Sequence, residues 1–236
     1  MRATIKEKQE IAQGTLLVKF DLGGEDVEFE PGQYFFVTLL DPPYDDDRGP
    51  RRHITVVTSP NERGVLGLAT RLRDSAFKKS LQELPIGTEV EVEPPKGKFT
   101  LPEDVSGPLV FVAGGIGITV FRVMLRYIDE ESLPYSVTLL FSNRNGAEAA
   151  FLDELRELER RISGFRLVLT MTDDPEWEGE RRHMDAQFFR DHVGDLLGEA
   201  TFMVAGPPAM VDAMKEALAE AGVGEDRVRA DSFSGY

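Results

Sequence analysis

The rhythm of hydrophobic positions changes near residue 101. Before it, short apolar runs at 16–20, 34–40, 65–72 and 88–92 follow one another closely, many alternating with polar residues. Turn-formers separate them: Pro31-Gly32-Gln33, Asn61-Glu62-Arg63-Gly64, and a loop rich in Pro, Asp and Gly over 41–50. The chain enters this mode at once, with a strand expected from its first residues. Such spacing predicts a small antiparallel barrel or sandwich. One helix interrupts it, over 76–84, with Asp74 or Ser75 as cap and Phe77, Leu81 and Leu84 at helical spacing.

After the Pro, Asp, Ser and Gly cluster at 101–108 the pattern is different. The run 109–113 is apolar throughout, as a strand buried on both faces requires. Strands at 136–141, 165–171, 201–205 and 228–233 then alternate with helices at 118–127, 147–161, 185–193 and 208–221. That alternation predicts a parallel sheet with crossover helices. The expected organisation is two domains, residues 1–101 and 108–236: an antiparallel β-barrel with a capping helix, then an α/β nucleotide-binding domain.

Composition narrows the function classes. Of 236 residues 41% are hydrophobic, enough for a packed core. Acidic residues outnumber basic ones 42 to 27, a net charge of −15 that repels nucleic acid and anionic lipid. There is no cysteine, so this polypeptide offers no disulfide, thiolate zinc site or cysteine-ligated iron–sulfur cluster. The three histidines have no metal-like spacing, and no metal is expected. No apolar run approaches the length of a membrane span. A cytoplasmic monomer is the expectation.

Three stretches carry candidate chemistry. Arg52-His53-Ile54-Thr55 puts a cation at the mouth of a β-branched strand, where an anion such as a phosphate would partner it. Ser75-Ala76-Phe77 opens a helix whose N-terminus is a second anion site, within reach of Arg52. Thr70, Arg71 and Leu72, just before that helix, are candidate cofactor contacts too. The third is Gly114-Gly115-Ile116-Gly117-Ile118-Thr119, between a buried strand and a helix. Its glycines admit a close ligand, and the helix start offers N–H groups to an anion. It is not the dinucleotide fingerprint in the strict sense, and a tight strand–helix turn would look the same.

Two more loops share that sheet edge, where ligands of open parallel sheets gather. Gly206, Pro207 and Met210 follow the fourth strand of the region. Ser142 and Arg144 follow the second, where a hydroxyl and a guanidinium suit the 2′-phosphate of NADP; no acid follows that strand immediately, where one would favour NAD.

In motif content and order, over essentially its whole length, the chain resembles the ferredoxin–NADP reductase-like flavoproteins. The family signature Arg-x-Tyr-(Ser/Thr) corresponds to Arg52-His53-Ile54-Thr55, its Gly-Gly-x-Gly-Ile-Thr loop to 114–119, and its Cys-Gly-Pro to Ala205-Gly206-Pro207. The resemblance implies a diphosphate role for Arg52, a place beside the flavin N5 for Thr55, and a flavin-covering role for Tyr236. Ile54 stands where the family's stacking aromatic does. The implied activity is hydride transfer from NADPH, or NADH, to FAD, then electron delivery to a separate acceptor such as ferredoxin or flavodoxin. A basic patch of Arg71, Arg73, Lys78 and Lys79 is the expected acceptor contact. Alternatives are a flavin or quinone reductase, or a non-catalytic electron-transfer or NAD(P)-sensing subunit.

Overall fold

The computed structural model describes residues 1–103 and 107–233. Tyr236 and part of the expected domain boundary lie outside the described residues.

Six antiparallel strands form the first half: β1 (Arg2–Ala12), β2 (Thr15–Asp21), β3 (Tyr34–Leu39), β4 (Arg51–Thr55), β5 (Val65–Arg71) and β6 (Glu89–Val92). Their order is β4-β3-β6-β1-β2-β5. The stretch after β4 curls back to the far edge, where the Val57 N–H donates to the Gly67 carbonyl of β5 at 2.9 Å. In this way the two ends of the sheet are drawn together as a barrel. Alternation decides what faces inward: Phe35, Val37 and Leu39 of β3 are buried and their neighbours are not. Helix α1 (Ala76–Glu83) sets Phe77 and Leu81 into the same core.

Parallel strands build the second half: β7 (Leu109–Gly114), β8 (Val137–Asn143), β9 (Phe165–Met171), β10 (Thr201–Gly206) and β11 (Val228–Ser232), in the order β11-β10-β7-β8-β9. Helices α2 (Ile118–Glu130) and α3 (Leu152–Arg161) cover one face. The opposite face is packed by α4 (Ala186–Val193) and α5 (Pro208–Glu220). All six residues of β7 are therefore buried, which is why its sequence is apolar without alternation. The chain runs outward from β7 through β8 to β9, then returns to β10 on the other side. The switch point lies between β7 and β10, where a ligand crevice is expected in such a sheet.

Two expected boundaries shift. The helix placed at 147–161 begins only at Leu152. Asn145 first caps a short 3₁₀ turn, Gly146–Glu148, and Phe151 at φ 61° breaks the helical path. The strand starting at Arg51, expected to run on to the Ser59-Pro60 stop, ends at Thr55.

The halves share an apolar seam. Leu17, Val57 and Ala69 of the barrel pack in one cluster with Phe111, Phe121 and Met124 of the α/β half. Polar ties run beside it. Arg126 meets Glu62 at 2.5 Å, Arg122 donates to the Val57 carbonyl, and Ser59 bonds Glu130.

Candidate functional site

The barrel contributes an anion cradle at the start of α1. Ser75 stands at the N-cap position in extended backbone but makes no side-chain cap. The Ala76 N–H instead donates to Asp46 Oδ2 at 3.1 Å, while Arg52 Nη2 lies 3.4 Å from Asp46 Oδ1. One carboxylate thus bridges the two donors that the sequence assigned to a phosphate. Arg52 is 13% exposed and is fixed from behind, its Nη1 donating to the carbonyls of Arg48, Gly49 and Arg51. Its guanidinium stacks over Phe77, 5.2 Å from the ring centroid. Phe77 itself is a core residue, so it supports the cation from below.

Cations crowd this cradle. Lys78, 6% exposed, is pushed down to about 8, first by burial and then by Arg73, Arg48 and Arg52. Such mutual depression is relieved by a dianion.

The surface basic patch expected from Arg71, Arg73, Lys78 and Lys79 does not form. Lys78 is buried in the first turn of α1, and Arg71 is 14% exposed and points into the seam. Lys79 is exposed but paired with Asp74 at 2.8 Å.

Thr55 lies at the end of β4, 4% exposed and opposite Tyr34. A cavity of about 210 Å³ opens beside it. Tyr34, Phe36, His53 and Thr55 line one wall; Asp231, Ser232 and Phe233 from the α/β half line the other. His53 is held between Tyr34, edge-on at 5.5 Å between ring centroids, and Phe36, tilted at 5.6 Å. Burial holds the Asp231 carboxyl above its usual range, and His53 across the cavity offsets only part of that. Ile54 touches this cavity but is 5% exposed and packs in the barrel core, directly across from Phe35. Strand alternation therefore gives the aromatic surface here to Tyr34, Phe36 and His53.

The α/β half contributes the glycine turn. Gly115–Gly117 forms one 3₁₀ turn that runs directly into α2, and neither start has a side-chain cap. Thr119 donates its hydroxyl to the Ile116 carbonyl at 3.0 Å, locking the turn. Ile118 is fully buried, and its backbone N–H is spent inside the turn, donating to the Gly115 and Ile116 carbonyls, so it offers a ligand no free group. Met210, from α5, spans the crevice between the turn after β7 and Gly206: Cβ atoms built on Gly114 and Gly206 would meet its sulfur at 3.0 and 2.9 Å. Pro207 is the exposed N-cap of α5.

Arg71 joins the halves. Its guanidinium sits 3.5 Å from the Cβ position of Gly115 and donates to Asn143 Oδ1 at 3.4 Å. It meets Glu148 Oε2 at 2.5 Å. Arg144 reaches the same oxygen, from Nη2 at 2.8 Å and Nε at 3.1 Å. Glu148 is thus an acid at the second-strand loop, supplied by the Asn145-capped turn. The sequence signal was there, an Asn three residues before a Glu, but the Glu lay inside an expected helix. Burial pushes Glu148 up, yet the two arginines more than offset it and hold it below the usual carboxylate range. Ser142, Gly114's partner across the β7–β8 ladder, borders this group. Thr70 and Leu72 flank Arg71; the Thr70 hydroxyl is buried without a partner among the described residues, and the Leu72 N–H donates to the Gly14 carbonyl. A larger cavity, about 500 Å³, lies on the seam between β1 and the start of α3; Gly146 and Ala147 of the Asn145-capped turn line it, but the side chains of the Arg71–Glu148–Arg144 group do not.

Asp46 and Tyr34 also belong to the site although the sequence did not single them out, and Lys78 belongs to it rather than to the expected surface patch. Only Asp46 had a signal, a run of aspartates in the loop before paired arginines. Among the described residues no cluster of side chains suits a metal, and no helix is long and apolar enough to cross a membrane.

Comparison with known proteins agrees with this division. Residues 2–101 match the oxidoreductase FAD-binding domain, and residues 111–216 the oxidoreductase NAD-binding domain. NADH-cytochrome b5 reductase 1 of Aspergillus terreus is 27% identical over 179 residues, 72% of this chain and 60% of that protein. The reductase component of propane 2-monooxygenase from Rhodococcus jostii is 29% identical over 214 residues, 88% of this chain and 56% of that protein. The chain thus spans little more than half the length of these relatives. The crystal structure of an Amycolatopsis cytochrome P450 reductase superposes with a TM-score of 0.83 at 27% identity, over 99% of this chain and 70% of that one. With an FAD-binding barrel followed by an NAD-binding α/β half in a single fold, the chain belongs to the ferredoxin reductase-like flavoprotein oxidoreductases.

Proposed function

We propose that the chain is an NAD(P)H-dependent flavoprotein reductase: FAD is held by the barrel, the pyridine nucleotide by the α/β half, and electrons leave to a separate acceptor protein. One observation carries this most directly. The Asp46 carboxylate already bridges Arg52 and the α1 N-terminus, so the cradle has the geometry of an anion site. FAD, when bound, supplies hydride acceptance and single-electron release.

The chain's own residues position and screen. Arg52 and the Ala76 N–H would hold the diphosphate, with Lys78 adding charge from below. The Thr55 hydroxyl, at the buried end of β4, is the group to hydrogen-bond the reactive edge of the flavin ring. Tyr34 and His53 wall the ring's cavity. The Gly114–Gly117 turn, Ser142 and Gly206 would receive the nucleotide across the switch-point crevice, and Met210 keeps water from that crevice. These 236 residues have no cysteine, so any cysteine-ligated cluster lies outside them. The two relatives carry names of proteins that reduce a cytochrome or serve an oxygenase. A redox protein of that kind is the acceptor expected here.

The test is spectroscopic. Purified protein reconstituted with FAD and desalted should keep its flavin band. Anaerobic NADH or NADPH should bleach it, and one-electron acceptors should restore it with turnover. Flavin lost on desalting would point to the flavin-reductase alternative. A retained flavin that neither nucleotide bleaches would sink the reductase reading.

A further inference from the structure

We propose that Met210 is a modification site: hydrogen peroxide converts its thioether to the sulfoxide, and the sulfoxide closes the crevice between β7 and β10 to the pyridine nucleotide. The inference rests on the reductase reading, which puts the nucleotide in that crevice, and adds to it a reversible brake.

Exposure singles the residue out. The chain has no cysteine, so its methionines carry all of its sulfur. Met124, Met171, Met184, Met203 and Met214 are buried and closed to a reagent arriving from solvent. Met1 and Met210 are half-buried. Met1 lies on the barrel, where its amino group donates to the Val92 carbonyl at 2.9 Å. Met210 is therefore the methionine that brings an accessible sulfur to the crevice, and accessibility governs where peroxide acts.

The space around that sulfur sets the consequence. Met210 is the third residue of α5, and it packs against the apolar cluster shared by α4 and α5. Its sulfur lies over the ends of β7 and β10, 3.0 and 2.9 Å from where Cβ atoms on Gly114 and Gly206 would stand. Not even a methyl group fits between sulfur and strand ends, so an added oxygen cannot point down onto them. Nor can the backbone make room. The Gly206 carbonyl accepts from the Phe233 N–H at 3.0 Å, and the Val211 N–H donates to the Pro207 carbonyl at 3.0 Å. Pro207 and Pro208 fix the entry to the helix. The oxygen is thus directed outward, into the crevice.

The step balances with peroxide as the sole co-reactant. A sulfur lone pair attacks one peroxide oxygen, the O–O bond breaks, and the other oxygen leaves as water after taking up the proton. Sulfur loses two electrons and peroxide gains them. A flexible apolar side chain becomes a polar one carrying an acceptor oxygen. In the crevice that oxygen takes space the nucleotide needs and turns a partial negative charge on an anionic ligand. Sulfoxide reductases reverse the change, so the closure is not permanent.

The experiment exposes the full chain, reconstituted with FAD, to graded hydrogen peroxide. Peptide mass spectrometry follows the sulfoxide at each methionine, and calorimetry gives the Kd of NAD⁺ and NADP⁺. Met210 should be oxidised about tenfold faster than the five buried methionines. As its sulfoxide accumulates, the Kd should weaken about fivefold or more, the low end of what an unpaired polar group costs in a partly covered contact. Treatment with both sulfoxide reductases, one for each epimer, should restore it. Met210→Leu sets its own starting Kd, which peroxide should then leave where it was. Oxidation of Met210 no faster than of the buried methionines overturns the proposal. So does complete oxidation of Met210 with the Kd unmoved, or a loss of affinity that Met210→Leu fails to prevent. All three leave the reductase reading intact. Should the variant fold poorly, failure of the two reductases to restore affinity overturns the proposal on wild type alone. Untreated protein that binds neither nucleotide overturns the reductase reading and this inference with it.

Discussion

Each glycine of the Gly114–Gly117 turn answers to a different neighbour, so single alanine substitutions separate packing from binding. A Cβ on Gly117 would fall 2.6 Å from the Ala205 carbonyl carbon and 2.9 Å from Gly206 Cα, and closer still to the Ala205 oxygen. Carbon atoms pack at roughly 3.5–4.0 Å, so the start of α2 would have to retreat from β10 by about 1 Å. Both partners are backbone of buried central elements and cannot rotate away. Overpacking of that kind costs about 1–3 kcal/mol, and here the upper end applies. Gly115 differs. Its Cβ would have ordinary contact with Arg71 at 3.5 Å, but its φ of 52° is left-handed. Alanine there pays about 1–2 kcal/mol of backbone strain. On Gly114, a Cβ meets only the flexible end of Met210, at 3.0–3.3 Å. Met210 can turn aside, at less than about 1.5 kcal/mol.

Urea unfolding of the three apo-variants should therefore rank Gly117→Ala as most destabilised, then Gly115→Ala, with Gly114→Ala near wild type. Nucleotide affinity should not follow that order. Gly114→Ala displaces Met210 into the crevice and should weaken NAD⁺ binding several-fold with little loss of stability. If Gly117→Ala unfolds within about 0.5 kcal/mol of wild type, the approach of α2 to β10 is looser than described and the packing account fails. If Gly114→Ala binds NAD⁺ normally, the crevice between β7 and β10 is not where the nucleotide lies.

Four further outcomes follow from the barrel half. Lys78 titrates at about 8 in the apo-protein, and the FAD diphosphate should restore its proton, so the Kd for FAD should weaken between pH 8 and 10 and flatten in Lys78→Met. Because its pKa is below that of the unfolded chain, apo stability should rise over about pH 8–10.5 in wild type only; denaturant titrations at pH 7.5 and 9.5 check the sign. Asp46→Asn removes the carboxylate that occupies Arg52 and the Ala76 N–H, and should tighten FAD several-fold by fluorescence titration; weaker binding would mean that Asp46 orients Arg52 rather than competing for it. Ile54→Tyr should lose about 1–3 kcal/mol on unfolding and retain FAD no better, since the added ring enters a filled core; tighter retention would mean the side chain can turn to the cavity.

Legibility in the sequence followed the reach of each interaction. Both sheets could be read because burial on one or two faces writes itself into the periodicity, as in the unbroken apolar β7 and the alternating β3. Arg52, Thr55 and the glycine turn were visible because a local motif carries their chemistry. What escaped depended on contacts distant in the chain. Lys78 reads as a surface residue on helical spacing, and only the fold shows that α1 turns it inward among Arg48, Arg52 and Arg73. Arg71 reads as the exposed end of a strand, yet it crosses the seam to residues more than seventy positions away. Glu148 was hidden twice. Its turn reads as the first part of a helix, since 147–161 is rich in helix-formers and Phe151 gives no sign of adopting φ 61°. Its partner Arg144 looks like a free phosphate ligand until Arg71 is known to fix the carboxylate between them. Glu148 is therefore a residue whose setting neither half specifies by itself: the α/β half supplies the acid, and the barrel supplies the cation that holds it.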